Sequence, residues 1–360
     1  MPELAIAALQ ERLRAAAADR RPLRIRGGGT KDFCGSAFDG HLLDTRGIAG
    51  IVDYAPNELV ITAHAGTLLA DIEAEMQRRG QMLAFEPPHY GPEATLGGTI
   101  AAGVAGPRRP YAGAPRDHLL GVKLLDGSGH ALTFGGRVMK NVAGFDVARL
   151  MAGAYGTLGV LTEISLKCLP LPRSEATCVL ECDADDAIRR INEWSARPLA
   201  LSAACFARNQ LHVRLSGAEP AVGAARAIIG GEAHADGGAA FWESVREQTH
   251  PFFTPVRERL LPLWRIAVKS TTPHTDLGGE QLIDWGGALR WMIGGESTSA
   301  QRVRAFAQEH GGHAILYRGG DKRIGVFHPL PAPLLALHRR LKSVFDPHGI
   351  LNRGRMYPDF

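Results

Sequence analysis

The residues of this chain best suited to chemistry begin at Arg26, where the sequence reads Arg-Gly-Gly-Gly-Thr-Lys through Lys31. Glycine lets a ligand approach the main chain closely and forfeits conformational entropy on folding. A triplet of it therefore reads either as a flexible turn or as a cradle of bare N–H groups for an anion such as a phosphate. A second small-residue stretch, Thr95-Leu96-Gly97-Gly98-Thr99 followed by Ala101 and Ala102, repeats the theme. Neither familiar nucleotide template accounts for the first loop. The dinucleotide fingerprint fails at its third glycine, which is Asp32 here, and the Walker glycine spacing before Lys31 is missing. A pyrophosphate bound here would be bound outside the Rossmann and P-loop architectures.

Other reactive residues are scattered. The five cysteines, Cys34, Cys168, Cys178, Cys182 and Cys205, form no paired C-x-x-C motif, so neither zinc nor an iron–sulfur cluster is expected, and no metal site is assigned. This usage fits a reducing, cytoplasmic setting. His64, His89, His118, His274 and His328 stand alone without ligand spacing. Arg108 and Arg109 read as exposed arginines or as phosphate partners. Lys140, Asn141 and Asp146 read as a hydrogen-bonded corner or as ligand neighbours.

The elements that must position these residues follow from pattern. A hydrophobic content of 45% against 22% charged residues supports a large core. The formal charge of +4 is dispersed, which argues against nucleic-acid binding. The first 25 residues read as an amphipathic helix and a strand rather than a secretion signal. No apolar run reaches the roughly 18 residues of a membrane span. Strand-like runs over 48–66 lead to a helix expected to begin with Thr67 as its cap and to end at Gly80. Residues 121–134 read as a hairpin around Asp126-Gly127, and residues 145–172 as a short helix, a glycine loop, a strand and a proline stop. Beyond residue 173, helix and strand patterns alternate: helices over 183–198 and 217–231, a strand pair over 200–217, and a helix running into a strand over 297–319. Residues 251–264, Pro-Phe-Phe through Trp264, read as an apolar interface or as core. A last helix stops at Asp346-Pro347. The fold class is thus α+β, with one domain over 1–172 and a second over 173–360.

Six blocks in this order and spacing carry a resemblance: RIRGGGT, HAGTLLADIEAEMQRRG, ATLGGTIAAGVAG, RDHLLGVKLLDGSG, GAYGTLGVLTEISLKCLPLP and the tail FDPHGILNRGRMY. The first five resemble the vanillyl-alcohol-oxidase (PCMH-type) FAD-binding domain, and the tail resembles that of FAD-linked oxidases of glycolate and D-lactate. With GPRRPYAG and the stretch 135–167, the chain looks most like the E subunits of bacterial glycolate oxidases. The resemblance implies a PCMH-type FAD domain followed by a smaller FAD-linked-oxidase-like α+β domain whose tail returns toward the FAD domain. It implies FAD as cofactor, contacted by Arg26, Gly27, Gly28, Gly29, Thr30 and Lys31 on one wall. Thr95, Leu96, Gly97, Gly98 and Thr99 form a second, Ala101 and Ala102 leave room for a flat ring, and Gly159, Val160 and Leu161 run alongside. A β-branched residue at Gly28 or Gly98 should then disturb the cofactor more than the fold.

The first loop lacks a histidine, so the FAD is expected to be held without a covalent link; Cys34 is the alternative attachment point. Oxidising a 2-hydroxy acid needs a cation for the carboxylate and a base for the hydroxyl proton, and the second half shows no histidine cluster to supply the base. No catalytic residue is assigned. The resemblance therefore implies an oxidoreductase subunit that works on glycolate with a catalytic D-type flavoprotein subunit and an iron–sulfur subunit, peripheral to the inner membrane through those partners. A free-standing FAD-dependent oxidoreductase for hydroxy acids or alcohols and a cofactor-free scaffold are the alternatives.

Overall fold

The computed structural model describes residues 2–137, 145–234, 236–295, 298–358 and 360. Lys140 and Asn141 lie outside the described residues. The chain divides into two compact units. The first comprises Met1–Val104, Ala114–Leu171 and Pro329–Phe360, and the second Ala105–Gly113 and Pro172–His328. The division differs from a single cut after residue 172 in two places: the last thirty-odd residues cluster with the first unit, and Ala105–Gly113 clusters with the second.

The first unit is built on a five-stranded antiparallel sheet in the order Ile51–Ala55, Val60–His64, Val160–Lys167, Leu119–Leu125, Ala131–Gly135. Its central strand, Val160–Lys167, is covered on both faces: Val160, Leu161, Ile164 and Leu166 are buried, and so are the polar Thr162 and Ser165. Beside it, Leu23–Arg26 pairs in parallel with His41–Asp44. The helix Pro2–Ala18 packs Leu9, Leu13, Ala16 and Ala17 into a core that also holds Leu23, Leu43, Ile350 and Leu351. The start and the end of the chain therefore share one core. The helix Leu69–Arg78 buries Leu69, Ile72 and Met76 at helical spacing. Thr67 is not its cap, since Leu68 holds that position. The Thr67 hydroxyl instead lies within bonding distance of the carbonyls of Gly50 and His64, tying the strand end to the preceding turn.

The second unit is an eight-stranded antiparallel sheet ordered Glu232–Ala233, Ser174–Glu181, Gln210–Gly217, Leu201–Ala207, Gly279–Asp284, Leu289–Gly294, Leu263–Ala267, His313–Arg318. The helices Ala184–Ser195 and Glu219–Ile229 bury Ile188, Ile191, Val222 and Ile229 against Leu211, Val213 and Leu215. Ala300–Glu309 buries Val303 and Ala307 against Trp264, Met292 and Leu316. Asp183 caps the first helix through the Asp186 N–H at 2.8 Å, and Ser299 caps the third. Phe252, Phe253, Val256, Leu263 and Trp264 are core, while Leu260 in the same 251–264 stretch is exposed.

Arg108 explains why Ala105–Gly113 belongs here. It is buried and pairs with Glu175, and its second guanidinium nitrogen donates to the Ser216 hydroxyl at 3.1 Å. Next to it, the Gly106 carbonyl accepts from the Trp285 indole at 3.0 Å. Arg108 is thus neither exposed nor a phosphate partner. Asp146 is exposed and pairs with Arg149 at 2.7 Å.

Candidate flavin site

Within the first unit, the strand Leu23–Arg26 delivers the glycine loop to a cavity of about 800 Å³ of empty space, part of it open to solvent. Its lining includes Arg26, Gly27, Gly28, Gly29, Thr30 and Lys31 from the first loop. Thr95, Gly97, Gly98, Ala101 and Ala102 come from the second stretch, and Gly159 and Leu161 from the third. Of the residues expected from the sequence, Leu96, Thr99 and Val160 are not on the wall; all three are buried in protein.

The first loop has the chemistry of an anion cradle. Among the described residues, the main-chain N–H groups of Gly27, Gly28, Gly29 and Thr30 have no hydrogen-bond acceptor. Four consecutive donors without partners are costly in a folded chain unless water or a ligand takes them. Gly29 has a φ of +75°, the left-handed region that favours glycine. Charge surrounds the loop: Arg24 and Arg26 share one Asp32 oxygen at 2.8 and 2.7 Å. Lys31 is buried and donates to the His89 carbonyl at 3.2 Å.

The second stretch plays a different part. Thr95 caps the helix Leu96–Ala102, accepting from the Gly98 N–H at 3.3 Å. The N–H groups of Leu96, Gly97 and Thr99 go to Thr67, Ala65 and Thr95. These donors are all spent within the protein, so this wall supplies room rather than hydrogen bonds. A β-carbon on Gly97 would stand 2.8 Å from that of Ala65, which fixes why glycine is needed there.

The remaining walls come from parts of the chain that sequence reasoning left unassigned. Asn352 accepts from the Ile25 N–H at 2.8 Å and donates to the Tyr155 carbonyl at 2.7 Å, bridging two sides of the cavity. Arg355 donates to the carbonyls of Lys31 and Asp32 at 3.3 and 3.0 Å, and its burial pulls its pKa down. Both lie in the tail block ILNRGR, where an Asn and an Arg in a Gly-containing tail are the signal that was available. Among the described residues, no histidine or cysteine lines the cavity. Cys34 is buried outside the lining.

The single histidines serve structure. His89 pairs with Glu73 at 2.8 Å, and His118 lies 3.3 Å from the Lys167 carbonyl. The His64 ring sits 3.4 Å from the Thr162 carbonyl, and His328 accepts from the Ala314 N–H at 3.3 Å. His274 is exposed. Among the described residues, no three His, Cys, Asp or Glu side chains are grouped to hold a metal, and no helix is long and apolar enough to cross a membrane.

A second cluster, unrecognised in the sequence, lies within the second unit. Trp285, buried and at a φ of +52°, has the Arg109 guanidinium 4.2 Å and the Arg265 guanidinium 4.8 Å from its ring centre. His313 belongs to the same neighbourhood. The protein around its ring, and then the charges of Arg265, His328 and Arg109, push its pKa down to about 4, although the residue keeps solvent contact. Two guanidiniums beside an imidazole that is neutral at pH 7 can hold a small carboxylate.

Comparison with known proteins agrees with this geometry. Residues 5–135 match the FAD binding domain, and residues 330–356 match the C-terminal domain of FAD linked oxidases. Fold and cavity together define an FAD-binding oxidoreductase of the FAD-linked oxidase class. Over 355 residues the chain is 49% identical to the glycolate oxidase subunit GlcE of Escherichia coli (strain K12), covering 98% of this chain and 97% of that protein. The chain belongs to the FAD-linked oxidase family, in the branch that contains this subunit. It is also 31% identical over 163 residues to the glycolate oxidase subunit GlcD of Bacillus subtilis (strain 168), covering 44% of this chain and 34% of that protein. Among solved structures, alkyldihydroxyacetonephosphate synthase superposes with a TM-score of 0.64 at 14% identity, over 96% of this chain and 73% of that one. That likeness bears on the fold alone, and it agrees with the α+β, PCMH-type expectation. The cofactor of this chain is FAD.

Proposed function

We propose that this chain is the FAD-binding subunit of a glycolate oxidase that converts glycolate to glyoxylate, acting beside a D-type flavoprotein subunit and an iron–sulfur subunit. The observation that carries the reading is the run of four partnerless N–H groups from Gly27 to Thr30 on a cavity wall, in a chain that matches a glycolate oxidase subunit along almost its whole length. Bound FAD would supply a hydride acceptor.

The chain's own residues do the rest. The loop donors take the pyrophosphate oxygens, while Arg24, Arg26 and Lys31 offset its charge. The small side chains of Ala101 and Ala102 leave space for the ring, and Gly159 and Leu161 complete the wall. The absence of histidine and cysteine from the lining supports a non-covalent cofactor, which acid precipitation should release into the supernatant. In the second unit, Arg109 and Arg265 are the cations suited to the carboxylate of a 2-hydroxy acid.

Electrons on the flavin need an exit, and the five cysteines carry no paired C-x-x-C motif for a cluster. This favours an iron–sulfur partner as the next carrier, and attachment to the membrane through partners rather than through this chain. Glycolate-dependent dye reduction by the single chain and by the co-expressed complex, at equal flavin concentration, tests the reading. Turnover is expected from the complex and little from the chain alone. Equal turnover from the single chain would instead establish a free-standing oxidoreductase.

A further inference from the structure

The helix Ala332–Phe345 is built against the usual rule. Among its fourteen residues only Lys342 and Phe345 are buried, while Leu334, Leu337 and Val344 are exposed. Burying an ammonium is costly unless every proton is met. Here all three are: Lys342 donates to Asp346 at 2.7 Å, to the Leu351 carbonyl at 2.7 Å and to the Thr157 carbonyl at 2.8 Å. Burial pulls the Lys342 pKa down and the Asp346 charge works against that shift. Asp346 is in turn satisfied by the N–H groups of Ile350 and Leu351 at 3.1 and 2.8 Å.

Neither residue lines the cavity, yet each bond leads to one of its walls. Thr157 lies in the segment that presents Tyr155, Gly156 and Gly159. Leu351 bridges to Leu23, with Leu23 N–H donating to the Ile350 carbonyl at 2.7 Å and Asn352 N–H to the Leu23 carbonyl at 3.1 Å. Leu23 opens the strand that ends at the glycine loop. One ammonium thus fixes the spacing between two walls that are more than a hundred residues apart in sequence.

We propose that Lys342 and Asp346 are positioning residues of the flavin cavity, and that docking of the 346–355 tail and binding of FAD are coupled through them. The proposal rests on the assignment of the cavity to FAD. By linkage, a tail that improves the site must itself be stabilised by the ligand, to the same extent.

Two measurements on the full-length chain test it, after stripping and titrating with FAD. In the first, hydrogen exchange of the tail is followed with and without FAD. Slower exchange at Ile350, Leu351 and Asn352 in its presence is expected, and equal rates overturn the coupling. In the second, the double variant Lys342→Met with Asp346→Leu removes the ion pair and with it the partners of the Thr157 and Leu351 carbonyls and of the Ile350 and Leu351 N–H groups, so its apo thermal midpoint should fall. FAD titration well below that midpoint, where the apo chain is folded, is expected to show affinity weakened about tenfold, a loss in the folded chain that lower stability alone does not produce. Wild-type affinity in the folded variant overturns the proposal. If the variant does not fold, the exchange measurement decides. Failure of the wild-type chain to bind FAD would overturn the cavity assignment, which is a separate result.

Discussion

Gly28 lies so close to the main chain of Glu93 that a β-carbon on it would overlap the Glu93 carbonyl oxygen. Gly98, on the facing wall of the same cavity, has different surroundings: an added β-carbon meets only the Thr95 hydroxyl, at 3.2 Å. The two glycines look equivalent in sequence and are not equivalent in structure. Gly28→Ala is expected to cost about 1–3 kcal/mol of stability and to lose flavin as a consequence. Gly98→Ala sits in a helix, where alanine is favoured by up to about 1 kcal/mol. Its apo chain should melt at or above the wild-type temperature while binding FAD more weakly. Thermal midpoints of stripped protein, set beside flavin titrations, check both. A Gly98→Ala chain with undiminished affinity would move the cofactor off this wall.

What could be read from the sequence was local. The glycine loop, the amphipathic stripes and the sheet-forming alternation each depend on residues within about one element of one another, and each is found in the fold. What escaped depends on distant contacts. Arg108 is assigned by Glu175, 67 residues away, and Arg355 by carbonyls 323 and 324 residues away. The Thr95–Thr99 segment was legible as a close-approach site. Its N–H donors were not, because their acceptors Ala65 and Thr67 come from another loop.

Arg108 gives the second expectation. It joins a polar network in which the Ser202 and Ser216 hydroxyls lie 2.6 Å apart and Arg214 donates to Ser202 at 3.2 Å. Arg108→Ala leaves Ser216 and Glu175 without their cation inside the second unit. A loss of about 2–3 kcal/mol is expected, as for a buried hydrogen bond to a charged group. Urea unfolding followed by tryptophan fluorescence reads it, since Trp242, Trp264, Trp285 and Trp291 all lie in this unit. Flavin affinity should change little, because Arg108 is not part of the cavity wall. A variant that loses flavin at unchanged stability contradicts this placement.

Arg265 tests the carboxylate site. Its guanidinium lies over the Trp285 ring, 4.8 Å from its centre, and has no acidic partner among the described residues. In the co-expressed complex, Arg265→Met is expected to lower kcat/KM for glycolate roughly tenfold to a hundredfold, mainly through KM, the cost of losing a charge-assisted contact. Flavin content should be unchanged. Full kcat/KM in the variant would show that glycolate does not use this cluster.

His212 contributes to the acid limb of stability. Its ring stacks on Phe241 at a centroid distance of 3.8 Å, and its Nδ1 is buried without a partner among the described residues. Burial, then the neighbouring His234 and His250, push its pKa down to about 4 from an ordinary 6.5. Above pH 6.5 the ring is neutral in both folded and unfolded chains and contributes nothing to pH dependence. Between pH 6.5 and about 4 the unfolded chain binds the proton and the folded chain does not, so stability falls as pH falls. The full loss is on the order of 3 kcal/mol, from 1.36 kcal/mol per pKa unit. His212→Phe keeps an aromatic ring against Phe241 and removes the titration. Its urea midpoint should therefore decline less than the wild-type midpoint between pH 7 and pH 4.5, while at pH 7 the difference between the two chains reports packing alone. Parallel declines in the two chains would mean that His212 binds its proton as readily in the folded state as in the unfolded one, and that the acid limb belongs to other groups.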